Sequence, residues 1–173
     1  LLDKNRYSVP TGNVGLMVRA HLSVDSVDIF HQSKKVATHP RVFGNNGWQL
    51  DPDHYLDLLQ QRPGAFAAAR PIRQWRKSWP EALERLLERF TTKQGETDGT
   101  RDFISVLLLY RDHPSGDVQA AVELALESGI GSSAAVKHIL LYAHPDPKIE
   151  PMRGWASTEP VDVSAYGRLG GLS

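Results

Sequence analysis

The sequence predicts an α+β fold in which a small antiparallel β-barrel is followed by a basic linker and a bundle of short helices. Residues 13–42 alternate between apolar and polar side chains, which is the period of strands with one buried face. After Ser78 the apolar residues recur every three or four positions, which is the period of amphipathic helices. The predicted segments are residues 1–61 for the barrel and a helix at its end, 62–78 for the linker, 79–144 for a four-helix region and 145–173 for a flexible tail.

Three strands are predicted in the first segment. The first strand has an apolar face and a polar face, formed by Val14, Leu16, Val18, Ala20 and Leu22 on one side and Met17, Arg19 and His21 on the other. In the second strand Val27 and Ile29 share the apolar face, and the third strand covers residues 35–38. Residues 44–47, Gly-Asn-Asn-Gly, are a strong turn signal, and Trp48 after them is expected to cover one end of the barrel.

The chain changes from the strand period to the helix period at Asp51. Asp51 or Asp53 can cap a short helix that ends before Pro63. The segment after this helix, residues 62–77, contains five cations and no acid. Because Pro71 would interrupt a helix there, we expect this linker to bury little and to be free to lie along a partner.

Four helices are predicted in the second half, and each has its own start or stop signal. The signals are a capping box at Ser78 and Glu81, a cap at Thr100, a cap at Ser115 or Asp117 with a C-terminal Gly129, and a cap at Ser132 or Ser133. After the fourth helix the chain is rich in proline and poor in aliphatic residues. Such a composition cannot build a core, so residues 145–173 are expected to be flexible.

A net charge of zero conceals two halves of opposite sign. Residues 1–78 contain 11 Lys and Arg against 6 Asp and Glu, and residues 79–173 contain 9 against 14. A basic half favours a polyanion as its partner, whereas an acidic half favours a protein partner or plain solvation. The alternative for the basic half is that its sheet face is an ordinary solvated surface and that its linker contacts no partner. The candidate polyanion contacts are Arg6, Tyr7, Arg19, His21, Lys34, Lys35, His39, Arg41, Arg62, Arg70, Arg73, Arg76 and Lys77.

Several functional classes find no support in the sequence. The chain has no cysteine, which excludes disulfides and thiolate metal sites and favours a reducing, cytoplasmic location. No apolar run approaches the roughly 20 residues that span a bilayer, so no membrane is expected among the partners. The histidines lack a zinc-site spacing, and no nucleophile elbow, phosphate-binding glycine loop or spaced set of acids is recognisable. We therefore expect neither catalytic nor metal-ligating residues in this chain.

Three segments of the chain carry a family resemblance: RYSVP, then VGLMVRAHLSVDSVDIFHQSKKVATHPR, then DHYLDLLQQRPGAFAAARPIRQW. In this order they resemble the barrel of IstA-type insertion-sequence transposases and the segment that follows it. Those enzymes are DDE recombinases, similar in plan to the phage Mu transposase, that work with an AAA-type ATPase helper. The resemblance implies a bacterial protein. Because the chain begins with Leu and not Met, we expect the natural N-terminal part to be missing. The resemblance implies that the catalytic core, with its divalent metal, lies in that upstream part.

The resemblance implies a non-catalytic region with no cofactor of its own, which holds transposon-end or target DNA in the synaptic complex. The polyanion expected for the basic half is then duplex DNA. The alternative belongs to another functional class, a protein-interaction module that docks the ATPase helper or another transposase subunit. Both hypotheses assign the chemistry on the DNA strands to a different part of the transposase.

Candidate contacts with protein partners lie on the helices and in the tail. In the tail, Val161, Val163 and Tyr166 are apolar residues that can add to a groove or sheet edge of another subunit. On the helices, acidic residues at exposed positions are the candidates for contacts with the helper or a neighbouring subunit. These residues are Glu84, Glu88, Asp102, Glu123 and Glu127.

Overall fold

Strands precede helices in the computed structural model, which describes residues 1–143. The strands are β1 (Arg6–Tyr7), β2 (Arg19–Leu22), β3 (Ser26–His31), β4 (Lys34–Pro40) and β5 (Trp48–Gln49). The helices are α1 (Asp53–Gln61), α2 (Arg70–Trp75), α3 (Glu81–Gln94), α4 (Glu96–Leu108), α5 (Ser115–Glu127) and α6 (Ser133–Ala143). Short 3₁₀ turns occur at Thr11–Asn13, Pro63–Ala65 and Leu109–Arg111. The predicted α+β class is confirmed.

The strands form two small sheets. β2, β3 and β4 form an antiparallel sheet in that order, and Arg19 pairs with Phe30 while Ser26 pairs with Pro40. β1 and β5 form a separate parallel pair in which Arg6 lies opposite Trp48. The prediction of three consecutive strands joined by short turns is therefore confirmed for β2 to β4.

The predicted barrel is wrong, because the strands of residues 1–143 do not close on one another. The alternating pattern suggested a first strand from Val14 onward, but β2 begins only at Arg19. Residues ahead of it form a 3₁₀ turn at Thr11–Asn13 and a left-handed bend at Gly15, where φ is 82°. Within the described residues β2 pairs only with β3, so the three-stranded sheet stays open.

The apolar face predicted for the first strand is largely uncovered. Val14 is 78% exposed and Leu16 is 47% exposed, and both precede β2. The face predicted for the second strand is confirmed, since Val27 and Ile29 are buried together with Ala37 of β4. This core is small because only one layer of short elements covers the sheet.

Residues 62–77 bury much more than the sequence analysis expected. Phe66 and Ile72 are almost completely buried in the core of the helices. Pro71 does not interrupt a helix but lies in the first turn of α2, where its missing N–H costs nothing. The expectation of a segment that buries little is therefore wrong, and α2 has a fixed inner side and a fixed outer side.

Four helices, α3 to α6, form most of the apolar core, as the sequence predicted. The stripe predicted for the first of them is confirmed, with Leu83, Leu86 and Phe90 buried. α4 packs so closely on α3 that a Cβ atom at Gly99 would lie 2.5 Å from the carbonyl carbon of Phe90. All six helices, and Phe66 after the second 3₁₀ turn, contribute side chains to this core. The core residues are Leu56, Leu59, Phe66, Ile72, Leu83, Leu86, Phe90, Phe103, Ile104, Val106, Leu107, Val118, Ala121, Val122, Ala125, Leu126, Val136 and Leu140.

Helix ends were predicted with mixed success. The capping box at Ser78 is wrong, because its hydroxyl donates to the Trp75 carbonyl and α3 starts at Glu81. The cap at Thr100 is also wrong, because this residue is buried within α4. Gly129 follows α5 with φ of 70°, as a C-terminal glycine should. At the start of α6, Ser132 Oγ accepts the N–H of Ala135, as a cap should.

Hydrogen bonds join α1 to α4 and to the 3₁₀ turn that follows α4. Arg111 donates to Asp53 Oδ1 over 2.6 Å and to both carboxylate oxygens of Asp57 over 3.0 Å. Gln60 donates to the Ser105 hydroxyl. Within residues 1–143 the model contains no helix with the length and apolar character needed to cross a membrane.

Candidate nucleic-acid interface

Two arginines predicted as polyanion contacts meet on the indole of Trp48. The pairing of β1 with β5 places Arg6 opposite Trp48, and the guanidinium carbon of Arg6 lies 4.5 Å from the ring centroid. The guanidinium carbon of Arg70, at the start of α2, lies 4.1 Å from the same centroid. We call these three residues the Trp48 cluster. The electron-rich indole face attracts both cations and holds them in place.

The positive charge of the Trp48 cluster is not neutralised by the rest of the described chain. Within residues 1–143 neither Arg6 nor Arg70 forms an ion pair with a carboxylate. Both arginines are exposed, and Trp48 itself is 37% exposed. The expectation that Trp48 covers a barrel end is wrong. Two like charges held close together favour an anion between or above them.

The turn that carries Trp48 is held by the side chain of Asn5, which is completely buried. Its Nδ2 donates to the carbonyl oxygens of Val42 and Gly44 over 3.2 and 2.9 Å, and its Oδ1 accepts the N–H of Gly47 over 2.8 Å. The turn predicted at residues 44–47 is thus present. This role of Asn5 is not recognisable in the sequence, because no local pattern shows that an asparagine will bond to a segment about 40 residues away.

The exposed side of α2 extends the Trp48 cluster. Arg73 follows Arg70 by one helical turn, so the two side chains lie on the same side of the helix. Pro71 and Ile72 occupy the opposite, buried side. Arg73 is exposed and has no ion pair with any residue of 1–143. Two further predicted contacts, Arg62 and Lys77, are exposed before and after this segment.

Arg76, also predicted as a polyanion contact, is instead part of an internal ion pair. Its guanidinium binds both carboxylate oxygens of Glu84, and Glu84 also accepts a hydrogen bond from Trp79 Nε1. This hydrogen bonding raises the pKa of Arg76 and lowers the pKa of Glu84. The two charges are thus paired with each other on the surface, and the roles of Arg76 and Glu84 as partner contacts stay predictions.

The outer face of the three-stranded sheet retains part of the predicted cationic surface. Arg19 and His21 are exposed there, and the ring of His21 rests against Phe30. Lys34, which pairs with His31 at the start of β4, is also exposed. Lys35 lies 3.4 Å from Asp28. A hydrogen bond from the Thr38 hydroxyl, aided by Lys35, lowers the pKa of that aspartate.

Arg41, Tyr7 and His39 serve mainly within the fold. Arg41 donates to the Ser23 carbonyl oxygen, and Tyr7 accepts the N–H of Val42 at its hydroxyl. His39 is 3% exposed and donates from Nε2 to the Ser8 carbonyl oxygen. His39 was assigned to the surface in error, because the side-chain parity of β4 directs it into the core.

A buried polar network joins the sheet to α1. Ser8 Oγ lies 2.8 Å from Nδ1 of His54 and accepts the N–H of Asp51 over 2.9 Å. Nε2 of His54 lies 3.8 Å from Asp51 Oδ2, and its ring meets the ring of His39 edge to face. These are the residue types of a hydrolytic triad, but the serine hydroxyl is buried and is used as a hydrogen-bond acceptor by the backbone. In the fold these hydrogen bonds join the residues after β1 and the end of β4 to the start of α1.

Acid pH should weaken the fold through His54. Its pKa lies below the ordinary 6.5, chiefly because burial disfavours the charged ring. The charges of Asp51 and Asp53 raise this pKa, whereas those of His39 and Arg111 lower it. As the pH falls below 6.5, the unfolded chain therefore binds more protons at this histidine than the folded chain does. The contribution of the neutral His54 to the free energy of unfolding is thus complete above pH 6.5 and is lost as the pH falls below it.

The variant His54→Asn keeps an acceptor near the position of Nδ1 for the serine hydroxyl but cannot titrate. We expect its free energy of unfolding, measured by urea denaturation, to fall less between pH 7.5 and pH 5.5 than that of the parent chain. Equal losses in the two proteins would contradict this assignment of the pH dependence.

The acidic residues predicted as partner contacts divide into two groups. Asp102 accepts hydrogen bonds from the N–H and the hydroxyl of Ser133 and from Gln94, so it holds the start of α6. Its prediction as an exposed contact is corrected. The remaining candidates, Glu88, Glu123 and Glu127, are exposed.

The tail candidates, Val161, Val163 and Tyr166, lie outside the described residues. No group of three or more histidine, aspartate or glutamate residues that could hold a metal ion lies within the described part, residues 1–143.

Comparisons with known proteins identify similar chains. Residues 1–51 match a family model described as Mu transposase, C-terminal domain. The transposase for insertion sequences IS1326/IS1353 from Pseudomonas aeruginosa is 34% identical to this chain over 177 residues. The aligned region covers 96% of this chain and 34% of that relative. The protein of the same name from Shigella flexneri has the same identity and coverage. A transposase from Aminobacter aminovorans is 29% identical over 144 residues, which cover 80% of this chain and 27% of the relative.

The chain thus spans about a third of the length of the IS1326/IS1353 transposases, since the alignment covers 34% of each of them. No solved structure matches it.

Proposed function

Because this chain belongs to the C-terminal part of the insertion-sequence transposases, we propose that it holds DNA, either transposon end or target, during transposition. The observation that carries the proposal is the Trp48 cluster with the adjacent Arg73. These residues form an exposed group of three guanidiniums without carboxylate partners in residues 1–143. The strand chemistry and its divalent metal are assigned to parts of the transposase that this chain does not cover.

The physical reason for choosing a phosphate backbone as the ligand is the geometry of the guanidinium groups. Arg6 and Arg70 are fixed on one indole, and a planar guanidinium can bind a phosphate through two parallel hydrogen bonds. Neutralised phosphates release counterions, which supply most of the non-specific binding free energy. The indole is already in contact with two cations, so it is not a free stacking platform for bases.

The contacts should be largely independent of base sequence. α2 spans six residues, and its buried Ile72 and Pro71 fix it against the helical core. A helix so short and so anchored offers only its outer side, where the side chains are arginines. Contacts of this kind position a protein along the duplex but do not read base edges.

Charge reversal at Arg70 and Arg73 tests the proposal. We expect the double variant Arg70→Glu, Arg73→Glu to bind a duplex of arbitrary sequence at least tenfold more weakly and to lower the salt slope of log K by about 2, since each phosphate contact contributes about 0.9. The measurement is fluorescence anisotropy of labelled duplex DNA with the full chain over a salt series.

The matched control is Arg85→Glu on α3. Arg85 is exposed and lies on a different helix from Arg70 and Arg73, so this variant lowers the net charge by half as much as the double variant does, without touching the proposed site. Its salt slope should stay near that of the parent chain. A loss in this variant about half as large as the loss in the double variant would show that net charge alone controls the affinity and would reject the site.

A second candidate function, docking of the ATPase helper or another transposase subunit, is favoured by the outer face of α5. Glu123 and Glu127 are exposed one turn apart, and Leu124 between them is 47% exposed. An exposed leucine flanked by acids suits a basic protein surface with an apolar centre. If docking is the main role, the Arg70 and Arg73 variant should leave DNA affinity unchanged.

A further inference from the structure

The strand β2 has a free edge next to an uncovered apolar stretch. It is the outer strand of the three-stranded sheet, and no strand within residues 1–143 pairs with its other side. Apolar residues flank it at both ends, since Met17 before it and Val24 after it are 86% and 76% exposed. An exposed edge presents unpaired N–H and C=O groups that another strand can join.

The two faces of β2 determine which strand would fit that edge. By strand parity, Val18, Ala20 and Leu22 continue the apolar face of the sheet, and both Val18 and Leu22 are partly exposed. Arg19 and His21 lie on the opposite face, where the nearby Asp28 is already bound by Thr38 and Lys35. A fitting strand is therefore apolar at alternate positions and acidic between them.

We propose that a second copy of the chain supplies this strand through residues 161–165, whose sequence is Val-Asp-Val-Ser-Ala. These residues lie outside the described part, and the inference uses only their sequence. Val161 and Val163 alternate with Asp162 and Ser164. Residues that lie opposite each other in neighbouring strands share a face, so the valines extend the apolar face of β2 and Asp162 meets the cationic face.

Length and charge both support this occupant. The five residues match the five alternating positions 18–22, and the single acid meets Arg19 or His21, depending on the register. The choice of a second copy rests on the proposed role in an assembly with other subunits. The strand pairing itself needs no DNA, so it can be measured independently of the DNA-binding proposal.

Sedimentation velocity of the full chain without DNA, over a range of concentrations, tests the inference. We expect concentration-dependent self-association that Arg19→Asp and Asp162→Lys each weaken about fivefold, since charge pairs across strands contribute modest energies. An equimolar mixture of the two variants should recover the parental affinity, because in the mixture each edge can meet a tail segment of opposite charge. Arg85→Asp, a charge reversal elsewhere, should change nothing.

Three results would overturn the inference. They are a chain that stays monomeric at every concentration, an association insensitive to both variants, and a mixture that fails to recover affinity. A monomeric chain whose β2 amides lose exchange protection on Asp162→Lys would show instead that the segment pairs within its own chain. Because the samples contain no DNA, none of these results bears on the binding of duplex DNA by Arg70 and Arg73.

Discussion

Replacing Asn5 by aspartate is expected to lower the free energy of unfolding by about 3 kcal/mol or more, because it leaves several buried polar groups without hydrogen bonds. The asparagine is completely buried, and its Nδ2 donates to two carbonyl oxygens. Aspartate has the same shape but offers an oxygen where a donor is needed. The carboxylate would face the carbonyls of Val42 and Gly44 in a site that water does not reach.

The matched control for this prediction is Asn45→Asp. Asn45 belongs to the same turn but is exposed, and no side-chain hydrogen bond holds it to residues 1–143. Its substitution makes the identical chemical change and should alter the free energy of unfolding by no more than about 0.5 kcal/mol. Urea denaturation of both variants gives the comparison. Similar losses at the two positions would mean that charge, and not the buried hydrogen bonds, causes the effect.

The same substitution connects stability to the proposed function. Asn5 holds the turn from which β5 and Trp48 start, and Trp48 positions Arg6 and Arg70. A folded chain with a displaced turn would keep its arginines but lose their common support. The position of the guanidinium groups, and with it the phosphate contacts, therefore depends on an uncharged residue that does not touch the ligand.

A second large loss of stability is expected from Gly99→Ala. Alanine normally stabilises a helix relative to glycine, but here its Cβ would lie 2.5 Å from the carbonyl carbon and oxygen of Phe90 and 2.6 Å from the Cα of Thr91. These are backbone atoms of α3 and cannot rotate away. The two helices must separate and disturb the core around Phe90 and Phe103, which we expect to cost about 2 kcal/mol, as overpacking does elsewhere.

Gly116→Ala is the control for this helix contact. Gly116 lies in α5, and nothing lies within 4 Å of the position that its Cβ would take. The substitution should raise the free energy of unfolding by up to about 1 kcal/mol, since alanine restricts the unfolded chain and favours the helix. Thermal or urea denaturation should thus give changes of opposite sign at the two glycines. A stabilising effect at both would contradict the close packing of α3 and α4.

Much of the architecture could be predicted from local patterns. Alternation identified β3 with its buried Val27 and Ile29, and helical periodicity identified the stripe of Leu83, Leu86 and Phe90. Such patterns succeed where an element is long enough to repeat its period several times against one core. They fail for residues 14–18, because alternation records which side chains could share a face and not whether another layer covers that face.

The candidate site was predicted only as a set of charges. Sequence reasoning named Arg6, Arg70 and Arg73 together with Arg76 and His39, and nothing in the local sequence separates them. Their different roles arise from partners distant along the chain. Glu84 binds Arg76, the core surrounds His39, and Trp48 gathers Arg6 and Arg70, which like Arg73 have no carboxylate partner in residues 1–143.

The sequence by itself determined the α+β class, the order of strands before helices, the basic and acidic halves, and the family resemblance, because each of these depends on composition or on short-range periodicity. Only the tertiary structure decided that the sheets stay open, that residues 62–77 pack into the core, and which arginines present unpaired charge. These features depend on contacts such as those of Asn5 with residues 42–47 and of Arg70 with Trp48. The free energy of such contacts belongs to pairs of residues far apart in the chain, so no local pattern can record it.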